Sequence, residues 1–322
     1  MRITTMLLVA SSGLAALTPA LTQAGCGSGF CAVNTDWNVQ GVYVESGARA
    51  ELRYEYLNQD QPRAGSDAVE VGQIPAHHDE VSTVNQAVFA TFDYNWASGW
   101  GASAIIPVIK REHEHIHNHH GAAIPEEWDF TALGDIRVAG RYQFEAGTAN
   151  TAQPQTLGVL FGVKLPTGNT DVTNDEGELA ERTLQPGTGT TDPFFGGFYQ
   201  VQLPARGLSF FAQGAYAFAA DSYDNYKPGD RLTLDLGMRY EATPHAALLL
   251  QLNALWRGRD SGAQAEPDDS GGRYFFISPG ISVSVTPKVQ LFALAQLPIY
   301  QYVNGVQLTA SFGATAGIGL RF

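Results

Sequence analysis

Residues 306–322 read Val306-Gln307-Leu308-Thr309-Ala310-Ser311-Phe312-Gly313-Ala314-Thr315-Ala316-Gly317-Ile318-Gly319-Leu320-Arg321-Phe322. Every even position is apolar and every odd one is polar or glycine, the period-two signature of a strand with one greasy face and one wet or tightly packed face. The segment is too long for an ordinary globular strand and suits a tilted membrane strand with extra residues at its ends. Residues 289–320 carry no charge, so a hydropathy window would flag a transmembrane helix there. Pro298, the Asn304-Gly305 pair and Gln290, Gln296, Gln301 and Gln307 interrupt that run, and a hairpin fits better.

The same alternation recurs upstream. Residues 231–241 set Leu232, Leu234, Leu236, Met238 and Tyr240 against Thr233, Asp235 and Arg239, and residues 49–55 alternate Arg49, Glu51, Arg53 and Glu55 with Ala50, Leu52 and Tyr54. Full charges on one face and large apolar groups on the other fit a wall between water and lipid. Twelve strands are expected, near 49–57, 84–96, 100–110, 132–145, 155–165, 192–203, 207–219, 231–241, 246–257, 273–285, 288–298 and 306–322. Long connections alternate with short ones. That rhythm predicts an all-β fold, a transmembrane antiparallel barrel over residues 48–322 with both termini and the short turns periplasmic. Tyr94, Trp96, Tyr142, Phe144 and Tyr240 then fall at the periplasmic ends of their strands, as an aromatic girdle would. A soluble β-sandwich would also alternate, but not with such uniformly long strands or this loop rhythm.

Composition agrees. The chain of 322 residues is 44% hydrophobic and 16% charged, with 35 glycines and 11% aromatics, which excludes a disordered chain, a coiled coil and a disulfide scaffold. Nineteen basic against 32 acidic residues leave a net charge of -13, which repels phosphate backbones and argues against nucleic acid as a partner. The expected partners are outer-membrane lipid, lipopolysaccharide, and a small solute or metal ion, in the outer membrane of a Gram-negative bacterium.

Met1-Arg2, an apolar stretch over 6–17 and the small Ala24 after Thr22 read as a signal peptide over residues 1–24. In the oxidising compartment beyond, Cys26 and Cys31 could close a small disulfide loop in a segment, residues 25–47, that is either periplasmic or plugs the lumen.

Leu133-Gly134-Asp135-Ile136-Arg137 with Gly140-Arg141-Tyr142, then Gly162-Val163-Lys164-Leu165-Pro166-Thr167-Gly168, and the run Leu184-Gln185-Pro186-Gly187-Thr188-Gly189-Thr190-Thr191-Asp192 carry a likeness to known proteins. Through them the chain resembles a proteobacterial family of outer-membrane barrels, described as transporter-like or as phenol-degradation meta-pathway proteins. The resemblance spans roughly residues 130–322 and implies passive outer-membrane transport, not degradation chemistry.

The histidines stand outside that likeness. Residues 110–121 read Lys-Arg-Glu-His-Glu-His-Ile-His-Asn-His-His-Gly, with His113, His115, His117, His119 and His120. If strand 100–110 continues extended, the odd histidines share the side of Ser103, the lumen side, and form a ladder at the pore mouth. His77 and His78 in the first outer loop should meet the ladder at the same rim, because strands 84–96 and 100–110 pair through a short turn. No cofactor is required by the sequence. Neutral imidazoles with or without a carboxylate would suit Zn²⁺, Cu²⁺ or Ni²⁺; the alternative is a solvated loop whose histidines carry no ligand.

Parity also assigns a lumen set, with Arg53, Glu55, Arg137, Arg141, Asp235 and Arg239 at its centre. Mixed signs on a twelve-stranded wall predict a narrow, hydrogen-bonded, partly plugged interior. The chain is not expected to be an enzyme, since neither His77 and His78 with Asp79 nor His245 has a catalytic partner that the sequence can place. The leading function is passive uptake or capture of a small solute. The alternative is a surface barrel that adheres or senses through its long acidic loops.

Overall fold

The computed structural model describes residues 33–40, 46–74, 79–119, 122–146 and 153–322. The expected signal peptide, Cys26, Cys31, His77, His78 and His120 lie outside the described residues, and His117 and His119 are described as strand backbone only.

Among the described residues the strands are β1 Gly47–Ala64, β2 Asp67–Ala68, β3 Asp79–Asn95, β4 Trp100–His119, β5 Ala122–Leu133, β6 Arg137–Glu145 and β7 Gln155–Lys164. They continue as β8 Asp192–Leu203, β9 Leu208–Ala217, β10 Arg231–Thr243, β11 Ala246–Arg257, β12 Gly272–Thr286, β13 Val289–Val303 and β14 Val306–Arg321. Neighbours pair antiparallel, and β14 returns to β1 from Arg49↔Arg321 to Ala64↔Val306, which closes the sheet and removes its edges. β2 is a short arm on β1. β5 and β6 share one position in the wall: β4 pairs β6 from Trp100 to Ile105 and β5 from Val108 to His119. The result is a closed barrel of twelve antiparallel strands.

Through the belt the strands are apolar outward and largely polar inward, with a few buried apolar side chains such as Phe89, Leu249 and Phe292. On β10, Leu232, Leu234, Leu236 and Tyr240 are exposed while Thr233, Asp235 and Arg239 are buried. Tyr94, Trp96, Trp100 and Phe144 lie exposed at the end that carries the short turns, and a Trp256–Phe275–Tyr300 cluster lies toward the other, with ring centroids 5.3 and 5.7 Å apart. Two aromatic belts with aliphatic side chains between them fit a lipid bilayer.

Two features depart from the expected pattern. In β14, Leu308, Thr309 and Ala310 are all buried, so the even positions do not all face outward. The register skips Ser311 of β14 between Asn58↔Phe312 and Gln59↔Ala310, and Asp60 of β1 between Gln59 and Gln61; the bulge at Ser311 resets which face the preceding residues of β14 meet. The histidine-bearing segment, in turn, is a paired hairpin of β4 and β5 and not an irregular loop. Its outward residues above Val108 include Lys110, Glu112, Glu114, Glu127 and Asp129, with Lys110 Nζ 2.6 Å from Glu112. Such a face belongs in water, so the hairpin stands clear of the apolar belt.

Candidate functional site

Two stretches of chain enter the barrel, and a cavity lies beside the first of them. Residues 33–40 occupy the end with the short turns. Trp37 is fully buried against Leu249, Phe292 and Leu294, and its indole Nε1 donates to Glu51 Oε2 at 2.8 Å. Asn34 is bound through its backbone: its N donates to Gln251 Oε1 at 3.0 Å and its carbonyl accepts from Gln251 Nε2 at 2.8 Å. Its side chain donates to Asp235 at 3.2 Å, Asn38 accepts from Asn95 at 2.7 Å, and Thr35 meets Arg53. Asp36 accepts from the backbone N–H of Asn38 at 3.0 Å, closing the tight turn that keeps the segment compact. Polar residues of the wall thus solvate a buried polar segment.

From the other end comes the loop over residues 165–191. Its acidic tip near Asp175 and Glu176 is exposed, but Leu184, Gln185, Thr188 and Thr190 are buried. The wall breaks between β5 and β6 at Gly134-Asp135-Ile136, and Asp135 turns inward there to hold the loop. Its carboxylate accepts from Lys164 Nζ at 2.7 Å, Gly168 N at 2.9 Å and Thr188 N at 3.0 Å. Lys164 also reaches the Thr190 carbonyl at 3.0 Å and Asp192 at 3.1 Å. Higher up, Arg111 donates to Asn85 at 2.7 Å and to the Leu184 carbonyl, and Trp128 packs on Ala180 and Leu184.

A cavity of about 110 Å³ lies inside the barrel against Thr35 and Asp36 of the segment. One wall is charged. On β1 the alternation of the sequence becomes a chain of ion pairs, Arg49–Glu51–Arg53–Glu55, with Arg53 to Glu51 at 3.3 Å and to Glu55 at 2.7 Å. Asp93 sits 3.8 Å from Arg49 and 3.6 Å from Arg141. Ile105, Ala139, Leu160 and Phe194 supply the cavity's apolar lining, with Ala139 between Arg137 and Arg141 on β6. Of the six central lumen residues, all are buried inside the barrel. Arg53, Glu55, Arg137 and Arg141 share this cavity, whereas Asp235 binds Asn253 at 2.7 Å beside residue 34 and Arg239 pairs with Glu241 and Ser282, each at 2.6 Å.

At the rim, His113 and His115 point inward and are 2% and 4% exposed. They form a hydrogen-bonded series: Thr83 Oγ1 lies 2.8 Å from His113 Nδ1, His113 Nε2 lies 3.2 Å from His115 Nδ1, and His115 Nε2 lies 2.7 Å from Glu126. Trp128 tilts against both rings. Burial pushes the His113 imidazole down to about 3, so it is neutral at physiological pH. Among the described residues no three His, Cys, Asp or Glu side chains are grouped as a metal site.

Sequence reasoning missed the clamp on the loop, Asp135 with Thr188 and Thr190, and missed Arg111 and Thr91. Arg111 was within reach, since it has the parity of His113. Thr91 was too, having the parity of Asp93 on β3, whereas the clamp needed the fold, because Pro-Gly-Thr-rich runs read as solvated loop until something is seen to receive them.

An outer-membrane channel from Pseudomonas putida F1 superposes with a TM-score of 0.64 at 16% identity, covering 87% of this chain and 97% of that one. The toluene transporter TodX of P. putida aligns at 0.43 and 10% identity, covering 87% and 91%, and a Pseudomonas aeruginosa FadL homologue at 0.39 and 12%, covering 86% and 90%. A search of curated proteins finds no match. The closed barrel with its lipid-facing belt places the chain in the outer membrane of a Gram-negative bacterium. Residues 65–314 match the family described as "Putative MetA-pathway of phenol degradation", and the chain belongs to that family.

Proposed function

We propose that the barrel is a narrow channel for passive uptake of a small solute, with residues 33–40 and the inward loop setting its closed state. The observation that carries this reading is the 110 Å³ cavity inside the barrel beside residues 35 and 36, lined by both charged and apolar side chains. Charges already cross-linked to one another present no uncompensated ring, so passage would depend on moving the segment or the loop rather than on a fixed charge filter. The channel from P. putida F1, whose fold this barrel shares, supports the reading.

Single-channel recording in a planar bilayer tests it. The wild-type barrel should give small conductance steps. Trp37→Ala together with Asn34→Ala should raise open probability, because it removes the indole bond to Glu51 and weakens the seat on Asp235. No conductance at any voltage in either protein would sink the channel and leave the adhesion or sensing reading.

A second activity is proposed at the rim: capture of Zn²⁺, Cu²⁺ or Ni²⁺ by the histidine ladder with His77 and His78. The adjacent rings of His113 and His115, the second beside Glu126, support it. Their nitrogens are engaged with Thr83 and Glu126, so a metal would have to exchange with those partners. Calorimetric titration of the folded barrel should show heat that disappears when His113, His115, His117, His119 and His120 are all changed to Ala. Equal heats in both proteins would exclude the ladder as ligand.

A further inference from the structure

The charges around the central cavity are not all partnered alike. Arg49, Arg53 and Arg141 each hold a carboxylate, and Asp36 is occupied by the backbone of its own turn. Arg137 is different. It lines the cavity, is 8% exposed, and its guanidinium lies over the Phe194 ring at 4.6 Å. Among the described residues it makes no side-chain hydrogen bond or ion pair, and its buried Nε has no acceptor. Asp135 and Asp192 act on it electrostatically, as does Arg231, but both acids are bound by Lys164. Thr91 lines the same cavity, is likewise 8% exposed, and its buried hydroxyl has no partner among the described residues.

A buried guanidinium without a counter-ion is costly unless something supplies the charge or the hydrogen bonds. Arg137 presents a planar donor fork suited to a carboxylate, and Phe194 blocks one of its faces and fixes its orientation. Next to this fork run Ile105, Ala139, Leu160 and Phe194, which have nothing to offer a polar solute. A volume of about 110 Å³ holds on the order of eight water positions, the size of a six- to seven-carbon acid.

We propose that the cavity is a binding site for a small monocarboxylate with an apolar body, its carboxylate on Arg137 and Thr91 and its body against Ile105, Ala139, Leu160 and Phe194. The site deepens the channel reading by naming a solute class, and rests on that reading only for the solute's route to the cavity.

Hexanoate and benzoate, with hexanamide and benzamide as neutral counterparts, are titrated calorimetrically into the full-length folded barrel in detergent. Wild type binds both carboxylates and binds the amides at least tenfold more weakly. Arg137→Met loses tenfold or more in carboxylate affinity, Arg137→Lys keeps part of it because the charge remains without the fork, and Thr91→Val loses severalfold. Heat-modifiable migration on gels reports folding of each variant; if Arg137→Met does not fold, Thr91→Val and the acid-to-amide contrast still decide. Equal affinity for acid and amide, equal affinity in wild type and variants, or no binding of hexanoate or benzoate overturns the site. Conductance without carboxylate binding would overturn the site and leave the channel standing, whereas binding without conductance would overturn the channel and leave the site.

Discussion

Asp135 illustrates how one carboxylate can determine the state of a pore. It accepts from a lysine, two backbone N–H groups and a threonine hydroxyl, so its removal costs the inward loop its anchor as well as one ion pair. Lys164 would keep Asp192 at 3.1 Å, which limits the damage. Asp135→Ala is expected to destabilise the barrel by about 2–3 kcal/mol, below the full effect of orphaning a buried charge. Urea unfolding in lipid vesicles measures that loss, and the same variant should conduct more than wild type. At this scale the sequence was informative about facing and silent about partnering. Parity put Arg53, Arg137 and Asp235 on the inner face, because a strand alternates by geometry. That Arg53 is paired and Arg137 is not depends on which strand arrives beside each, and no local pattern encodes that.

At the level of elements, the inward loop is held by glycines that let backbones meet. A Cβ on Gly187 would lie 2.7 Å from the Gly168 carbonyl carbon and 2.8 Å from Asp135 Oδ1. Backbone atoms cannot step aside for it, so Gly187→Val should expel the loop while the staves stay folded. Trypsin cleavage at Arg182, which anchors to the Thr170 carbonyl at 2.9 Å, should accelerate by an order of magnitude or more, with unchanged heat-modifiable migration. A slow cleavage rate like that of wild type would show that the loop tolerates the side chain. Most strands were readable here: β8, expected over 192–203, is Asp192–Leu203, and β11, expected over 246–257, is Ala246–Arg257. The upper half of β4 and all of β5 were not, since Lys110, Glu112 and Glu114 put charge on the outer face, where a membrane stave would be apolar. The period was intact, but its polarity belonged to a hairpin standing in water.

For the whole molecule, the apolar belt is both the largest exposed feature and the best-defined by sequence. Leu236 lies near the middle of β10 on the outer face. Leu236→Arg should cost about 2–4 kcal/mol in vesicles, the depth-dependent cost of a cation at the bilayer midplane. Glu112→Arg on the emergent hairpin should change stability by less than about 1 kcal/mol apart from its lost contact with Lys110. Equal effects at the two positions would move the belt from where the aromatic rings place it. Periodicity defined that belt, but neither it nor composition could say that the interior is occupied at both ends, because the filling segments carry no strand signal.

β4 runs unbroken from Trp100 to His119 and carries several duties on one backbone. Ser103 and Ile105 wall the cavity, Arg111 holds the inward loop, and His113 and His115 stand at the rim. Twenty residues at roughly 3.3 Å each make a rod of about 65 Å, hydrogen-bonded along one edge to β3 and along the other to β6 and then β5. Sliding such a rod lengthwise by one residue would turn every side chain to the wrong face. It therefore behaves as a strut that tilts but does not slip, and a load on the outer hairpin reaches the cavity wall as leverage.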